Sequence, residues 1–388
     1  MDLKFDKNYY SIEIFFALLR AGLFPAHGEE GRDNDSFPKD VDWELVYQFA
    51  REQSVQGLVL QGIDSLRNLR VGFDVAFPKN LLLQWIGEVQ MIEKRNKAMN
   101  AFVADLIDKL RNLDIYAILV KGQGLAQCYE RPFWRSCGDV DLLLSEDNYD
   151  KAKRFLIPLA SEVEIEHKVF KHLGMSIFGW EVELHGCLQV GMPRRINHEL
   201  KDIEIDTFYR GNIRSWLNGQ TQVFMLGKEN DIVYVFVHFL NHFYKEGVGL
   251  RQICDWCRLI WTYRNEIDEN KIGRYIKKMG LISEWKAFGA FAVEYLGMPK
   301  RAMPYYSADV KWKKKTEKIC AFILKTGNMG HNRDMSHFSN KPYLVRKCVS
   351  LCRRIGDLIN HAYIFPLNSL RLFPIIVFNG VRSVMKGE

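Results

Sequence analysis

From Lys79 to Leu113 the chain keeps apolar residues three and four apart with charged residues on the other face, and at Ile115 this period stops. The run IYAILV that follows, and VDLLL at Val140–Leu144, are short and apolar and end at turn residues, as strands do. A long amphipathic helix that feeds straight into short strands demands an α/β unit set behind helices. The spacing also predicts helices over Tyr9–Leu23 and Trp43–Val55, joined by a polar loop, His27–Asp40. After the first strands come a helix over Glu146–Ala160 and candidate strands at Val163–His167, Lys171–Phe178 and Glu181–Cys187. The sheet is expected to end before a helix over Asn197–Tyr209, and beyond Gly227 nearly everything reads as helix, over Asp231–Tyr244, Leu250–Tyr263, Lys271–Met279, Ser283–Leu296, Val310–Lys325 and Tyr343–Asn360. No internal repeat supports a helical solenoid. The expected fold class is α+β: a small mixed sheet core (113–227) between an N-terminal helical region (1–112) and a C-terminal helical domain (228–388).

With 388 residues, 47% apolar and 26% charged, the chain has ample material for a core, which excludes collagen, low-complexity disorder and small disulfide scaffolds. The net charge of +7 is uneven. Residues 301–388 hold 16 basic and 5 acidic side chains, a balance of +11, so the positive excess belongs to the C-terminal region. Eight cysteines and an opening MDLKFDKNYY without a basic-then-apolar pattern lead to the expectation of a cytoplasmic protein with reduced thiols. Cys254 and Cys257 form a CxxC, but a structural zinc site wants a second pair. The apolar stretch Leu372–Phe378 contains Pro374 and is far shorter than the roughly 20 residues that span a bilayer, so no transmembrane helix is expected.

The segment VKGQGLAQCYERPFWRSCGDVDLLLS, from Val120 to Ser145, carries the chemistry. On a strand, Asp139 and Asp141 leave the same face while Val140 and Leu142 pack on the other. Two carboxylates so placed repel each other unless a cation lies between them, which points to a hard divalent ion, Mg²⁺ or Mn²⁺. The plain alternative is a solvated edge strand. Lys121, Gly122 and Gly124 follow a strand and open a short helix, where backbone N–H groups and a lysine can hold phosphate; the alternative there is an ordinary strand-to-helix turn. Arg135 offers a fork-shaped donor for phosphate or for ordering the carboxylates. In EVELHG, Glu181, Glu183 and His185 alternate onto one face, so Glu183 joins the aspartates if its strand lies beside theirs.

These residues resemble the nucleotidyltransferase superfamily related to DNA polymerase β, and most closely its bacterial NTP_transf_5 branch. The resemblance rests on Lys121-Gly122, Leu125-Ala126, Tyr129, Arg135, Gly138-Asp139-Val140-Asp141-Leu142-Leu143 and Val182-Glu183-Leu184-His185. It covers 115–188 well and, more loosely, the helices over 231–261. It implies transfer of a nucleoside monophosphate from an NTP to a hydroxyl or phosphate acceptor, with Mg²⁺ or Mn²⁺ held by Asp139, Asp141 and Glu183. Lys121, Gly122, Gly124, Arg135 and Gly138 would then handle the nucleotide. Where the superfamily has Gly-Gly or Gly-Ser this chain has Gly122-Gln123, a departure that favours a silent nucleotide-sensing or partner-binding (antitoxin-like) protein. An RNA-binding helical protein is the second alternative.

Downstream, His238 and His242 share a helix face, as do Arg251 and Asp255. The histidines more often complete hydrogen bonds than bind metal. His185, Arg251 and Asp255 are candidates for positioning substrate, the last two either as a pair near the cleft or as an internal helix salt bridge. The acceptor could be a small molecule, RNA or a protein. The basic region, with KWKKKTEK and Arg346, Lys347, Arg353 and Arg354, is either a solvated surface or a weak contact for an anionic polymer or membrane surface.

Overall fold

The computed structural model describes residues 9–24, 41–69, 77–245, 247–330, 332 and 343–386. The loop expected at His27–Asp40 and the side chains of Arg346 and Lys347 lie outside the described residues. The fold is α+β. N-terminal helices α1 (Tyr9–Leu23), α2 (Trp43–Glu52) and α3 (Gln56–Leu69) precede the long α4 (Lys79–Arg111). Then follow β1 (Ala117–Val120), α5 (Gly122–Ala126), β2 (Asp139–Leu144), α6 (Glu146–Leu156), β3 (Ala160–Val163), β4 (His172–Ile177), β5 (Trp180–His185), α7 (Arg194–Phe208), β6 (Ile213–Asn218) and β7 (Thr221–Leu226). The remainder is helical: α8 (Lys228–Lys245), α9 (Leu250–Tyr263), α10 (Glu269–Met279), α11 (Ile282–Glu294), α12 (Val310–Thr326), α13 (Tyr343–Ala362) and α14 (Pro366–Lys386). No helix among the described residues is long and apolar enough to cross a membrane.

The seven strands form one mixed sheet in the order β3-β4-β5-β2-β1-β7-β6. β2 lies between β1, antiparallel, and β5, parallel, so the strand with the two aspartates is central. The expectation that the sheet ends before α7 is corrected: β6 and β7 return as an antiparallel hairpin, and β7 pairs in parallel with β1. Its turn is Gly219-Gln220 with Gly219 at φ +64°, a backbone shape that glycine adopts without strain. β3 starts earlier than expected because α6 stops at Leu156, where Pro158 lies in a 3₁₀ turn (Ile157–Leu159) and the chain becomes extended at Ala160.

Alternation divides the sheet between two cores. Val140, Leu142 and Leu144 of β2, with Val182 and Leu184 of β5, face the C-terminal half of α4 (Met99, Val103, Leu106, Leu110) and α6. On the opposite face Ile118, Val120 and Leu143 join the larger core built by α1–α3, the first half of α4 and the helices from α7 onward. The aspartates of β2 therefore point to the side on which α8 and α9 pack. Part of the basic run on α12 is engaged internally: Lys311 pairs with Asp309 at 2.9 Å and Lys313 with Glu294 at 3.2 Å. Lys315 lies 4.8 Å from the Phe365 ring centre.

Candidate active site

Asp139 is half-exposed at the start of β2, whereas Asp141 is 1% exposed. In the parallel register Asp139 stands beside Glu181 and Asp141 beside Glu183, so period-two alternation puts Glu183 on the aspartates' face. One carboxylate oxygen from each of Asp139, Asp141 and Glu183 lies within 4.8 Å of the others, the convergence expected from the sequence. Asp141 Oδ1 accepts from Lys121 Nζ at 2.6 Å and from His185 Nε2 at 2.8 Å, while its buried Oδ2 has no hydrogen-bond partner. Glu183 Oε2 lies 3.1 Å from His172 Nε2 and 3.4 Å from His185 Nε2.

The electrostatics follow from this packing. Burial raises the Asp141 carboxyl above its ordinary value, the Lys121 charge opposes that rise, and Asp139 adds to it. Burial works against the charge of Lys121, but Asp141, Tyr234, Glu183 and Asp139 outweigh it and hold the ammonium well above its ordinary value. For Glu183, burial is outweighed by hydrogen bonds from His172 and His185 and by the Lys121 charge, so its carboxylate is held far below the usual range. Burial would lower His185, yet its bonds to Asp141 and Glu183 leave it raised.

The turn after β1 brings Lys121 here by an unusual backbone: Lys121 has φ 58° and Gly122 φ 40°, both in the region that costs an L side chain energy. A Cβ on Gly122 would lie 3.3 Å from the Asp139 carbonyl oxygen, so the two segments approach closely. Gly124 answers to packing, since a Cβ there would come within 2.9 Å of Met225 Sδ on β7. Gly138 is exposed with open space around it. Gln123 is 2% exposed and turns away from the carboxylates, donating through Nε2 to Asn96 Oδ1 at 2.9 Å.

Two sequence expectations are corrected. Arg135 is not poised over the carboxylates: its Nε and Nη2 grip Asp255 Oδ1 and Oδ2, each at 2.7 Å, with the two side chains 3% and 4% exposed. Tyr129 Oη donates to the same Asp255 Oδ1 at 2.7 Å. Arg251 and Asp255 accordingly form no salt bridge; Asp255 is taken by a residue 120 positions away, and Arg251 Nη1 reaches the Ser136 carbonyl at 3.3 Å. The cluster ties α9 to the loop ahead of β2. His238 and His242 have Nε2 atoms 3.1 Å apart, and burial first, then the Lys121, His242 and His185 charges, keep His238 well below its ordinary value. Cys254 and Cys257 are fully buried on α9, and burial pushes both thiols up.

Sequence reasoning missed two residues. Asn96, buried on α4, donates to the Phe133 carbonyl at 2.8 Å and the Arg135 carbonyl at 2.7 Å while accepting from Gln123, so one amide ties α5 to the segment ahead of β2. A polar residue facing the core inside a long helical pattern was the signal. His172 stands opposite His185 across β4–β5, and its alternation with Leu173, Met175 and Ile177 was readable in HLGMSI.

A mixed sheet whose central strand presents paired aspartates beside a lysine-glycine turn is the architecture that the sequence resemblance implied, and the class is that of the nucleotidyltransferases. The chain belongs to the uncharacterised nucleotidyltransferase family, whose model matches residues 39–297, more than half of its length and well beyond the segment that carries the motifs. No curated protein and no solved structure matches it.

Proposed function

We propose that the protein transfers a nucleoside monophosphate from an NTP to an acceptor hydroxyl or phosphate. The observation that carries this reading is the convergence of one carboxylate oxygen each from Asp139, Asp141 and Glu183 within 4.8 Å, together with the buried Asp141 Oδ2, which has no hydrogen-bond partner. An orphaned anionic oxygen in an all-oxygen donor set fits a hard divalent ion, Mg²⁺ or Mn²⁺, and these three residues would hold it. When bound, such ions supply the positive charge that polarises an α-phosphate and orients a leaving pyrophosphate. The chain's own groups have distinct tasks in this reading. Lys121, kept charged by its acidic neighbours, neutralises phosphate beside the turn formed with Gly122. Glu183, held far below the usual carboxylate range, is a poor proton acceptor and serves as a ligand. Arg135 and Asp255 hold the β2 approach in place.

The module over 113–227 carries the chemistry in this proposal, and the flanking regions, 1–112 and 228–388, select the acceptor, whether small molecule, RNA or protein. A cytoplasmic location and a weak, salt-sensitive contact between the basic C-terminal region and an anionic polymer or membrane surface belong to the same proposal. The Gln123 side chain is buried beside Asn96 and does not obstruct the carboxylates, which leaves room for the nucleotide in this reading. The test is incubation with each α-labelled NTP, Mg²⁺ or Mn²⁺ and cell extract. Label is expected on an acceptor and lost, by about a hundredfold or more, in folded Asp139→Asn. NTP at 100 times its dissociation constant should also stabilise the fold by about 2.7 kcal/mol. Neither label nor a melting shift with any NTP would transfer the assignment to the partner-binding alternative.

A further inference from the structure

The acidic set does not account for the histidine side of the site. There His172 and His185, directly paired across β4 and β5, both turn a ring Nε2 toward Glu183 Oε2, at 3.1 and 3.4 Å. The rings are 4.8 Å apart centre to centre, and the three donor atoms lie within 4.8 Å of one another. All three residues are half-buried, so an ion can reach them from solvent.

We propose that His172, Glu183 and His185 form a second metal seat, distinct in chemistry from the acidic one, for a divalent transition ion that accepts imidazole nitrogen. The distances suit it. An ion about 2.1 Å from each donor sets neighbouring donors about 3.0 Å apart in an octahedral shell and about 3.4 Å apart in a tetrahedral one. The two histidine-to-glutamate separations, 3.1 and 3.4 Å, fall at those values, so the ion would replace the protons that now lie between nitrogen and oxygen, and the two imidazole donors, within 4.8 Å of each other, would close toward it. The donor set also decides the ion. Two imidazoles and one carboxylate favour Zn²⁺, Fe²⁺ or Co²⁺ over Mg²⁺, which takes oxygen ligands and gives up its water reluctantly. Three protein ligands leave coordination positions open, as in seats that admit water or substrate. Lys121 remains on Asp141 when His185 Nε2 turns from Asp141 to the ion, so the acidic set keeps its cation. Glu183, having two oxygens, can serve both seats.

This seat stands on its own donors and does not depend on the transfer reaction, so it is tested without nucleotide. Zn²⁺ binding to the full chain is measured by equilibrium dialysis, and Co²⁺ binding by its visible absorption. The wild type should take up one Zn²⁺, and Co²⁺ should give the bands of a nitrogen-ligated site that excess Mg²⁺ does not abolish. His172→Ala should weaken Zn²⁺ by about a hundredfold and remove those bands. His172→Gln, which keeps the side-chain length, should do the same with an unchanged melting curve, while Asp139→Asn should bind Zn²⁺ like the wild type. Equal Zn²⁺ affinity in wild type and His172→Ala, no Zn²⁺ uptake by the wild type, or a loss in Asp139→Asn matching that in His172→Ala would each overturn the proposal. A failure of nucleotide transfer alone would leave it standing.

Discussion

Two charge clusters lie beside the same short segment, 121–141, and differ in how completely their atoms are satisfied. In Arg135–Asp255–Tyr129 both carboxylate oxygens are matched by donors at 2.7 Å in a nearly dry setting. In Lys121–Asp141–Asp139–Glu183–His185 one buried oxygen is orphaned, Asp139 and Glu183 are half-exposed, and the acids outnumber Lys121. The first cluster is closed, with each buried charge answered inside the protein, and so acts as a brace. The second is open on one side and short of positive charge, as a binding site must be. Residue type did not separate them, since a basic side chain and an aspartate occur in both; the degree of satisfaction did.

The largest effect should come from breaking the brace. Arg135→Ala leaves Asp255 buried without its ion partner, and such changes cost about 3–5 kcal/mol. Urea unfolding should show that loss, and a loss below about 1 kcal/mol would mean that Asp255 is not held as a buried pair. Tyr129→Phe is gentler and removes one hydrogen bond to a charged acceptor, about 2 kcal/mol. Its second signature is alkaline. Burial, then the Asp255 charge, raises the Tyr129 hydroxyl well above its ordinary value. Above pH about 10 the unfolded chain therefore releases a proton that the folded one keeps, and stability falls as pH rises. Tyr129→Phe should make that alkaline decline shallower, and an unchanged slope from pH 9 to 11 would contradict the assignment.

The open cluster was more legible in the sequence than the closed one, for a physical reason. Asp139, Asp141 and Glu183 are placed by strand alternation, a period-two rule that acts within six residues, and the only long-range condition was that β5 lie beside β2. Arg135 and Asp255 meet across 120 positions, and no local periodicity encodes that pairing. The α9 spacing placed Asp255 four residues from Arg251 and drew attention to the wrong partner. The hairpin of β6 and β7 escaped because Ile213–Asn218 has no fully buried side chain, although Asn218-Gly219 was a turn signal. α14 escaped because it contains Pro374. Most other helices were readable from period alone, and α9 begins and ends where the pattern placed it.

The smallest expected stability effect is at Asp139, and it sharpens the comparison most. Asp139→Asn is nearly isosteric, and the residue is half-exposed at the first position of β2, so the sheet register with Glu181 should survive. Removing its charge relieves repulsion on Asp141, whose carboxyl is raised by burial and then by Asp139 against the pull of Lys121. The net change in stability should lie within about 0.5 kcal/mol, of either sign. In a brace, loss of a charge is read as loss of fold. In a ligand-binding cluster, loss of a charge leaves the fold and removes a ligand atom, so nucleotide-dependent stabilisation with Mg²⁺ should disappear while the metal-free melting temperature stays within a degree or two. Thermal melts of wild type and Asp139→Asn, each with and without NTP and Mg²⁺, separate the cases. A destabilised metal-free variant would place Asp139 with the brace, and an equal ligand-induced shift in both proteins would remove it from the site.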